Sequence, residues 1–562
     1  MSGNIADYFA QHLATPGRVL YRHFAAGGWR DATVADLAAL VGRWQAAFAA
    51  AGLVQGDRVA LCARNGLHWV AVDLAALGLG LVVVPLYVDD NVENIAWCIA
   101  DVEAKLVVVD SLRLANGLAK GVAQDAPPLP PLVVLRAGDD EAGRAGATPV
   151  ERFLPERGGE VVVRPLPPPT LATICYTSGT GGRPKGVMLS HANIVANVAS
   201  CAATGLARPD DRFLSMLPLS HMFERTGGYY LPLSLGAEVA FARGIAQLAE
   251  DLATQAPTVV FAVPRIFERF KARIDQTLAR STAKRLLFDQ CVERGFRVAQ
   301  RRASLLDHLL VPALRALVAA PILDRLGGRL RLAVVGGAAL DPALSRVFIG
   351  LGLAMLQGYG MTEASPVISV NRVDDNDPAS VGAALPGIEV GTLPSGELLV
   401  RGANVMLGYW RNEPATQAAL DADGWLHSGD LAEIRDGRIH ILGRAKDVLV
   451  LSNGEKLPPQ DVELAILHDS VFEQVMLVGE GRPFVVLLAV SREKDERLLV
   501  RRANEQLKGF PRWIRVRRVL ATTAPWSVDT GLLTPTLKLR RPQVLAQFRE
   551  RIDAAYAGTT GD

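Results

Sequence analysis

The sequence predicts an α/β protein: a large N-terminal domain of mostly parallel sheets covered by helices, followed by a smaller α+β C-terminal domain. Three observations carry this. Short β-branched runs such as RVALCA (58–63), LVVVPL (81–86) and LVVVD (106–110) alternate with helix-length segments, the pattern of strands buried on both faces by crossover helices. A second group of alternating runs, IHILG, DVLVLS, VMLVG and FVVLLAV, is gathered in roughly 439–490 and is followed by helical charge patterns. The chain has 562 residues and 49% apolar content, more than one core ordinarily serves, so two or more domains are expected.

Taken in order, Leu74 to Val88 is the longest apolar run, too short for the ~20 residues of a membrane span and interrupted by Gly78, Gly80 and Pro85. It reads as the end of a buried helix followed by a buried strand. Strand-like runs at 172–176, 212–217, 258–263 and 331–335 extend the first pattern, and PLPPPT (165–170) reads as a loop inside it. From about 268 to 326 the chain reads helical, with Arg and Lys among leucines as in AKRLLFDQCVERGFRVAQRRASLLDHLL. Two readings stay open for this basic amphipathic stretch: a solvated helix pair packed on the core, or a peripheral contact with a membrane surface. Leu305 with Leu309, and Leu306 with Leu310, share helix faces in either case.

Composition excludes several classes. Lys and Arg number 60 against 58 acids, and a net charge of +2 provides no long-range field to gather nucleic acid. Cys62, Cys98, Cys175, Cys201 and Cys291 are odd in number and contain no CxxC pair, which argues against a disulfide framework or a zinc site and for buried thiols in a reducing compartment. The opening MSGNIADYFAQHLATPGRVLYRH carries acids and no apolar core, so it does not read as a secretory signal. The expected location is the cytoplasm, or its membrane face under the second reading of 268–326.

After the strand-like LATIC comes Tyr176-Thr177-Ser178-Gly179-Thr180-Gly181-Gly182-Arg183-Pro184-Lys185-Gly186. Such a loop suits polyphosphate: glycines let backbone N–H groups approach oxygens, hydroxyls add donors or a metal ligand, and Lys185 adds a cation. It is not a Walker A loop, because Pro184 stands where that motif needs Gly and Gly186 where it needs Ser or Thr.

YTSGTGGRPKG resembles the signature loop of the adenylate-forming superfamily, and four further segments agree with that family in order and spacing. They are LPLSHMFER (217–225), VVGGAAL (334–340) leading to QGYGMTE (357–363), DGWLHSGDL (423–431) with GRAKD (443–447), and GLLTPTLKLRR (531–541). PTVVFAVPRIFER (257–269) and the long basic helical insert before GGRLRLAVVGGAAL (327–340) are similar to the long-chain fatty acyl-CoA synthetase branch. One departure is Gly181, where the family loop usually carries a second Thr.

The resemblance implies a large domain over 1–443 and a mobile one over 444–562, turning about a hinge near Lys446. It implies ATP, Mg²⁺ and coenzyme A as cofactor and cosubstrates, a fatty acid as the acid, and no nucleic acid. Thr177 and Glu363 would hold the metal, with Ser178, Gly179, Thr180 and Lys185 around the phosphates. Gly336, Gly337 and Ala338 would line the base, Tyr359 would stack on adenine beside Gly360 and Thr362, and Asp430 with Arg444 would bind ribose. His221 would sit beside the acyl carboxylate, with Phe223, Tyr229 and Tyr230 walling an apolar tunnel. Lys538 would reach the α-phosphate and the carboxylate together, and LSNGEKLPPQDVE (451–463) would lie near the pantetheine path. Two rival readings remain: a ligase handing the adenylate to a carrier protein, and a non-catalytic nucleotide- or lipid-binding paralogue.

Overall fold

The computed structural model describes residues 3–121, 129–136, 146–177, 183–511, 513–528, 530–534 and 539–557. Two large mixed sheets form the body of the N-terminal domain. One has nine strands in the order Ala383–Ala384, Val367–Val370, Ala354–Gly360, Leu332–Val335, Val259–Ala262, Arg212–Ser215, Glu238–Phe241, Val19–Ala25, Gly28–Thr33, and the six from Ala354–Gly360 to Val19–Ala25 run parallel. The other has eight, Gly408–Tyr409, Lys185–Ser190, Leu171–Thr177, Val82–Pro85, Arg58–Cys62, Leu106–Val109, Leu132–Val134 and Thr148–Pro149, of which the last six run parallel. Strands such as Val82–Pro85 and Leu106–Val109 are buried at every position, as strands covered by helices on both faces must be. The Leu74–Val88 run is the end of the helix Leu67–Gly78 and then the strand Val82–Pro85.

The two sheets are tied by a buried ion pair. Arg225, on a π-helical turn (Arg225–Tyr230), meets Asp73 of the helix Leu67–Gly78; both side chains are 0% exposed. Its other nitrogen donates to Thr173 Oγ1 at 2.8 Å, and the Tyr230 hydroxyl donates to Asp73 Oδ2 at 2.8 Å. Desolvating two charges is costly, so the pair persists only because nearly every polar atom finds a partner. Tyr229 and Tyr230 are used up here, their rings tilted against one another with centres 4.5 Å apart, and both are fully buried. They do not wall the cleft described below, which corrects the tunnel expected of them: the π turn swings both rings toward Trp69 and Asp73.

The IHILG run does not join the C-terminal sheet. It lies in the strand Arg438–Arg444, which pairs antiparallel with Leu426–Arg435 in a four-stranded sheet with Glu397–Gly402 and Ile388–Thr392. The cause is local: Asp436 and Gly437 both take positive φ, 50° and 75°, as a two-residue hairpin requires. Beyond it, VMLVG and FVVLLAV give Gln474–Val478 and Val485–Val490, which with Val516–Thr522 make a three-stranded sheet. DVLVLS contributes only the short strand Leu449–Val450.

Residues 264–326 fold as helices Pro264–Leu278, Thr282–Ala299 and Leu305–Leu314, the last continuing through further helical turns to Leu326. Buried Asp307 fastens this last element inward, accepting from Arg294 at 2.9 Å and from Arg297 at 2.8 Å. Leu305, Leu306, Leu309 and Leu310 all face away from the protein and are exposed. All five cysteines are free, four buried and Cys201 partly so.

Candidate active site

Strand ends from both large sheets, the four-stranded sheet and the C-terminal domain converge on one cleft of about 2240 Å³. Thr177, Lys185, His221, Gly336, Gly337, Ala338, Tyr359, Gly360, Thr362, Glu363, Asp430 and Arg444 all line it. These residues span 267 positions of sequence, and the fold brings them to one wall. Ser178, Gly179, Thr180 and Lys538 lie outside the described residues. Thr534 and Leu539, on either side of Lys538, both line the cleft, and Leu533 bridges to Leu539.

Register explains the phosphate end. Leu171–Thr177 and Lys185–Ser190 are antiparallel with Thr177 opposite Lys185, so these two residues meet at one point of the cleft. Lys185 Nζ lies 4.9 Å from the centre of the Tyr409 ring, and the Tyr409 hydroxyl donates to Glu363 Oε1 at 2.8 Å. Burial, and next the Glu363 carboxylate, push the Tyr409 hydroxyl well above its ordinary value, so it stays protonated and a donor. Tyr409 is a residue that sequence reasoning missed. Its only signal was the pair of large aromatics after Gly408, standing outside any alternating run.

Thr177 and Glu363 offer a hydroxyl and a carboxylate, hard oxygen donors that suit Mg²⁺. Among the described residues no group of three or more His, Cys, Asp or Glu could cage a metal alone. That donor set fits an ion that keeps few protein ligands and completes its shell with water and substrate phosphate.

At the nucleoside end, Asp430 stands directly opposite Arg444 in the Leu426–Arg435/Arg438–Arg444 ladder, and its Oδ1 lies 3.1 Å from Arg444 Nε. Asp430 Oδ2 accepts the Tyr359 hydroxyl at 2.6 Å. Burial first, then Asp430, push the Tyr359 hydroxyl far above its ordinary value. A carboxylate accepts about four hydrogen bonds, so two engaged partners leave capacity for vicinal hydroxyls. Gly360 is required by space: a Cβ there would stand 2.0 Å from the Pro366 carbonyl oxygen.

His221 caps the short helix Met222–Glu224, its Nδ1 accepting from the Phe223 N–H at 3.1 Å. A neutral ring that accepts through Nδ1 carries its proton on Nε2. Past His221 the cleft becomes apolar, lined by Phe223, Gly227, Leu231, Val259, Phe261 and Val334. Phe223 and Phe261 meet edge to face at 5.4 Å, and a Cβ on Gly227 would lie 2.4 Å from the Phe261 ring. Gly227 therefore lets Phe261 lie flat against the π turn. Glu224 points into the core instead, where burial pushes its carboxyl up to about 8.

The opposite wall belongs to the C-terminal domain. Lys446 lines the cleft and is exposed; Asp447 faces Arg541 at 4.0 Å, and Arg541 in turn meets Glu463 at 2.5 Å. Asp447 thus has a partner other than its neighbour Lys446. Pro459, Gln460 and Asp461, within 451–463, also line the cleft. His468 Nε2 lies 2.8 Å from Asp341 Oδ2, an ion pair that joins the walls.

The same architecture recurs among solved structures: an anthranilate CoA ligase in complex with anthranoyl-AMP (TM-score 0.77, 18% identity, 98% of each chain covered) and ATP-bound MatB from Rhodopseudomonas palustris (TM-score 0.73, 23% identity, 98% of this chain and 99% of that one). In sequence, the chain is 30% identical to the long-chain-fatty-acid–CoA ligase FadD15 of Mycobacterium tuberculosis, covering 98% of this chain and 97% of that protein. It is 31% identical to human long-chain-fatty-acid–CoA ligase 1, covering 89% and 78% respectively. Residues 9–410 match the AMP-binding enzyme family and residues 446–560 its C-terminal domain. The cleft of strand ends, with Thr177 opposite Lys185, its Asp430–Arg444 pair and its apolar arm, is thus the site of a protein that belongs to the AMP-binding enzyme family.

Proposed function

We propose that the protein is an ATP-dependent long-chain-fatty-acid–CoA ligase: it converts a fatty acid to an acyl-adenylate with release of pyrophosphate, then transfers the acyl group to coenzyme A. The observation that carries this is the union, in one cavity, of a polar end with Thr177, Lys185, Glu363, Asp430 and Arg444 and an apolar arm beyond His221. Relatives named as long-chain-fatty-acid–CoA ligases along nearly the whole chain support the choice of acid and of acceptor.

In the first step a carboxylate oxygen forms a bond to the α-phosphorus and the bond to the bridging oxygen breaks, the electron pair leaving with pyrophosphate. Charge then accumulates on phosphate oxygens in a partly closed site, where fixed cations act most strongly. Lys185 offsets that charge, held in place by the Tyr409 ring. Asp430, oriented by Arg444 and Tyr359, receives the ribose. A magnesium ion held by Thr177 and Glu363 would neutralise phosphate charge when bound. His221 Nε2–H is a donor for the acyl carboxylate. Lys538 serves the first step, and the C-terminal domain (444–562) turns about Lys446 so that the thiol can attack the acyl carbon in the second, expelling AMP.

The test is pyrophosphate release and thioester formation across acids from acetate to oleate. Acids of about twelve carbons or more should give the highest kcat/KM, because each methylene buried in the arm contributes up to ~0.8 kcal/mol. Acetate or benzoate exceeding palmitate at equal concentration would refute the long-chain assignment. Adenylate formation without any thioester on free coenzyme A would instead assign the chain to carrier-protein loading.

A further inference from the structure

The helical element Leu305–Leu326 is apolar on both of its faces, which a helix resting on a soluble core does not need. Its inner stripe, Val311, Ala319 and Leu326 with the partly buried Leu314, Val318 and Ile322, packs into the core beneath. Its outer stripe is bare: Leu305 is 90% exposed, Leu309 74%, Leu317 67% and Leu306 63%, with Leu310 beside them. The spacing 305, 306, 309, 310, 317 keeps these five on one side of a helix. Five neighbouring leucines in water form a patch of the kind that marks an interaction surface, not scattered surface apolarity.

The charge around it identifies the occupant. Residues 280–329 hold ten Lys and Arg against four Asp and Glu, a surplus of six, whereas the whole chain is +2. Of the acids, Asp307 is buried on Arg294 and Arg297, while the partly exposed Glu293 meets Arg297 and Arg346, Asp289 meets Arg285, and Asp324 is exposed. Among the described residues, Arg280, Lys284, Arg301, Arg302, Arg325 and Arg329 are exposed and have no carboxylate within 4.0 Å. Arg301 and Arg302 stand just before the first leucine of the stripe, and Arg325 and Arg329 at its far end. An apolar stripe with unpaired cations at both ends matches a layer whose apolar interior lies under anionic oxygens.

We propose that Leu305–Leu326 is an interfacial helix that seats the protein on an anionic phospholipid surface, its outer leucines inserted among acyl chains and its flanking arginines at phosphate depth. It lies in the plane of the surface and does not span it, because its inner stripe and Asp307 are held by the fold. This is independent of which acid the active site takes.

Co-sedimentation of the full chain with vesicles of 30% phosphatidylglycerol and 70% phosphatidylethanolamine, against pure phosphatidylcholine vesicles, tests it. Binding to the anionic vesicles should exceed binding to the neutral ones by ~10-fold and weaken as salt rises. The triple variant Leu305→Ser, Leu309→Ser, Leu317→Ser should lose at least ~10-fold in partition, since three apolar side chains no longer enter the interface. Arg301→Glu with Arg302→Glu should remove the preference for anionic vesicles. These positions are remote from the cleft, so pyrophosphate release with a detergent-free, soluble medium-chain acid should be unchanged in every variant, which also verifies folding. Equal vesicle binding by wild type and the leucine variant would overturn the proposal. So would sedimentation of wild type as a dimer that the leucine variant dissolves, which would assign the stripe to a second copy of the chain.

Discussion

The two walls of the cleft are built on different principles. On the N-terminal wall several functional side chains are held across elements, Tyr359 by Asp430, Asp430 by Arg444 and Glu363 by Tyr409, and the same domain carries the buried Arg225–Asp73 pair. On the C-terminal wall, among the described residues, an isolated bridge joins Leu533 to Leu539 on either side of Lys538, and the His468–Asp341 contact links this wall to the other. The difference suits a site that must hold nucleotide in one geometry while exchanging one reacting group for another. Fixed groups belong in ladders, and the exchanged group belongs outside them.

If the N-terminal wall is structural in this sense, breaking its anchor should cost stability before chemistry. Arg225→Met leaves Asp73 buried without a counter-charge and should destabilise the protein by ~3–5 kcal/mol in denaturant unfolding. Adding Asp73→Leu should recover a large part of that loss. A single variant as stable as wild type would mean that the pair does not hold the two sheets together.

The C-terminal wall should behave in the opposite way. Lys538→Ala should leave unfolding unchanged while slowing acyl-adenylate formation at least ~10²-fold, the scale for losing one charge-stabilising donor. Conversion of supplied acyl-adenylate to thioester should survive. Lys446→Pro should reverse the pattern, because proline fixes φ where a hinge must absorb a backbone change. Equal losses in both half-reactions in both variants would remove the distinction between the walls.

Between these extremes lies Glu363. Glu363→Gln should raise the Mg²⁺ concentration needed for half-maximal pyrophosphate release and lower the rate by ~10-fold, since an amide binds a hard cation more weakly than a carboxylate. The Tyr409 hydroxyl can still donate to the amide oxygen, so stability should be retained. An unaltered Mg²⁺ dependence would take Glu363 out of the metal site.

What was legible in the sequence follows the same division. Residues within one contiguous motif announced themselves: Thr177 and Lys185 flank a loop whose chemistry is written in its residue types, and the parallel strands appear as unbroken apolar runs. What could not be read were partnerships across long separations. Nothing near Arg225 points to Asp73, 152 positions earlier, and Tyr409 is a functional residue only because the short strand Gly408–Tyr409 adds to the edge of the eight-stranded sheet. The expectation for Tyr229 and Tyr230 failed because nearness to His221 in sequence does not fix direction, and the π turn Arg225–Tyr230 carries both rings into the core. The misplaced IHILG run was avoidable, since Asp436-Gly437 is a hairpin signal in its own right.

The smallest expected effect concerns the His468–Asp341 ion pair between the walls. Asp341 raises the His468 pKa by its hydrogen bond, against a smaller opposing effect of burial. On the other side, burial pushes Asp341 up but the His468 contact and the Ala343 N–H outweigh it, so its pKa is lowered. The signs then fix a window. A histidine whose pKa is raised in the joined arrangement favours that arrangement fully below its ordinary value of about 6.5, and loses the contribution as pH rises through the raised value. The lowered Asp341 contributes above the ordinary carboxylate range and ceases to do so only in acid. The joined walls should therefore be favoured most above the ordinary carboxylate range and below about pH 6.5, and released as the pH rises through the raised His468 value. The His468 side chain is half exposed, so solvent screening keeps the effect under ~1 kcal/mol, less than a fivefold change in the balance. Energy transfer between dyes on the two domains, followed from pH 5.5 to 8.5, should report a single step that His468→Gln abolishes while leaving the unfolding midpoint unchanged. The same step in His468→Gln would place the titrating group elsewhere and leave the walls joined by packing alone.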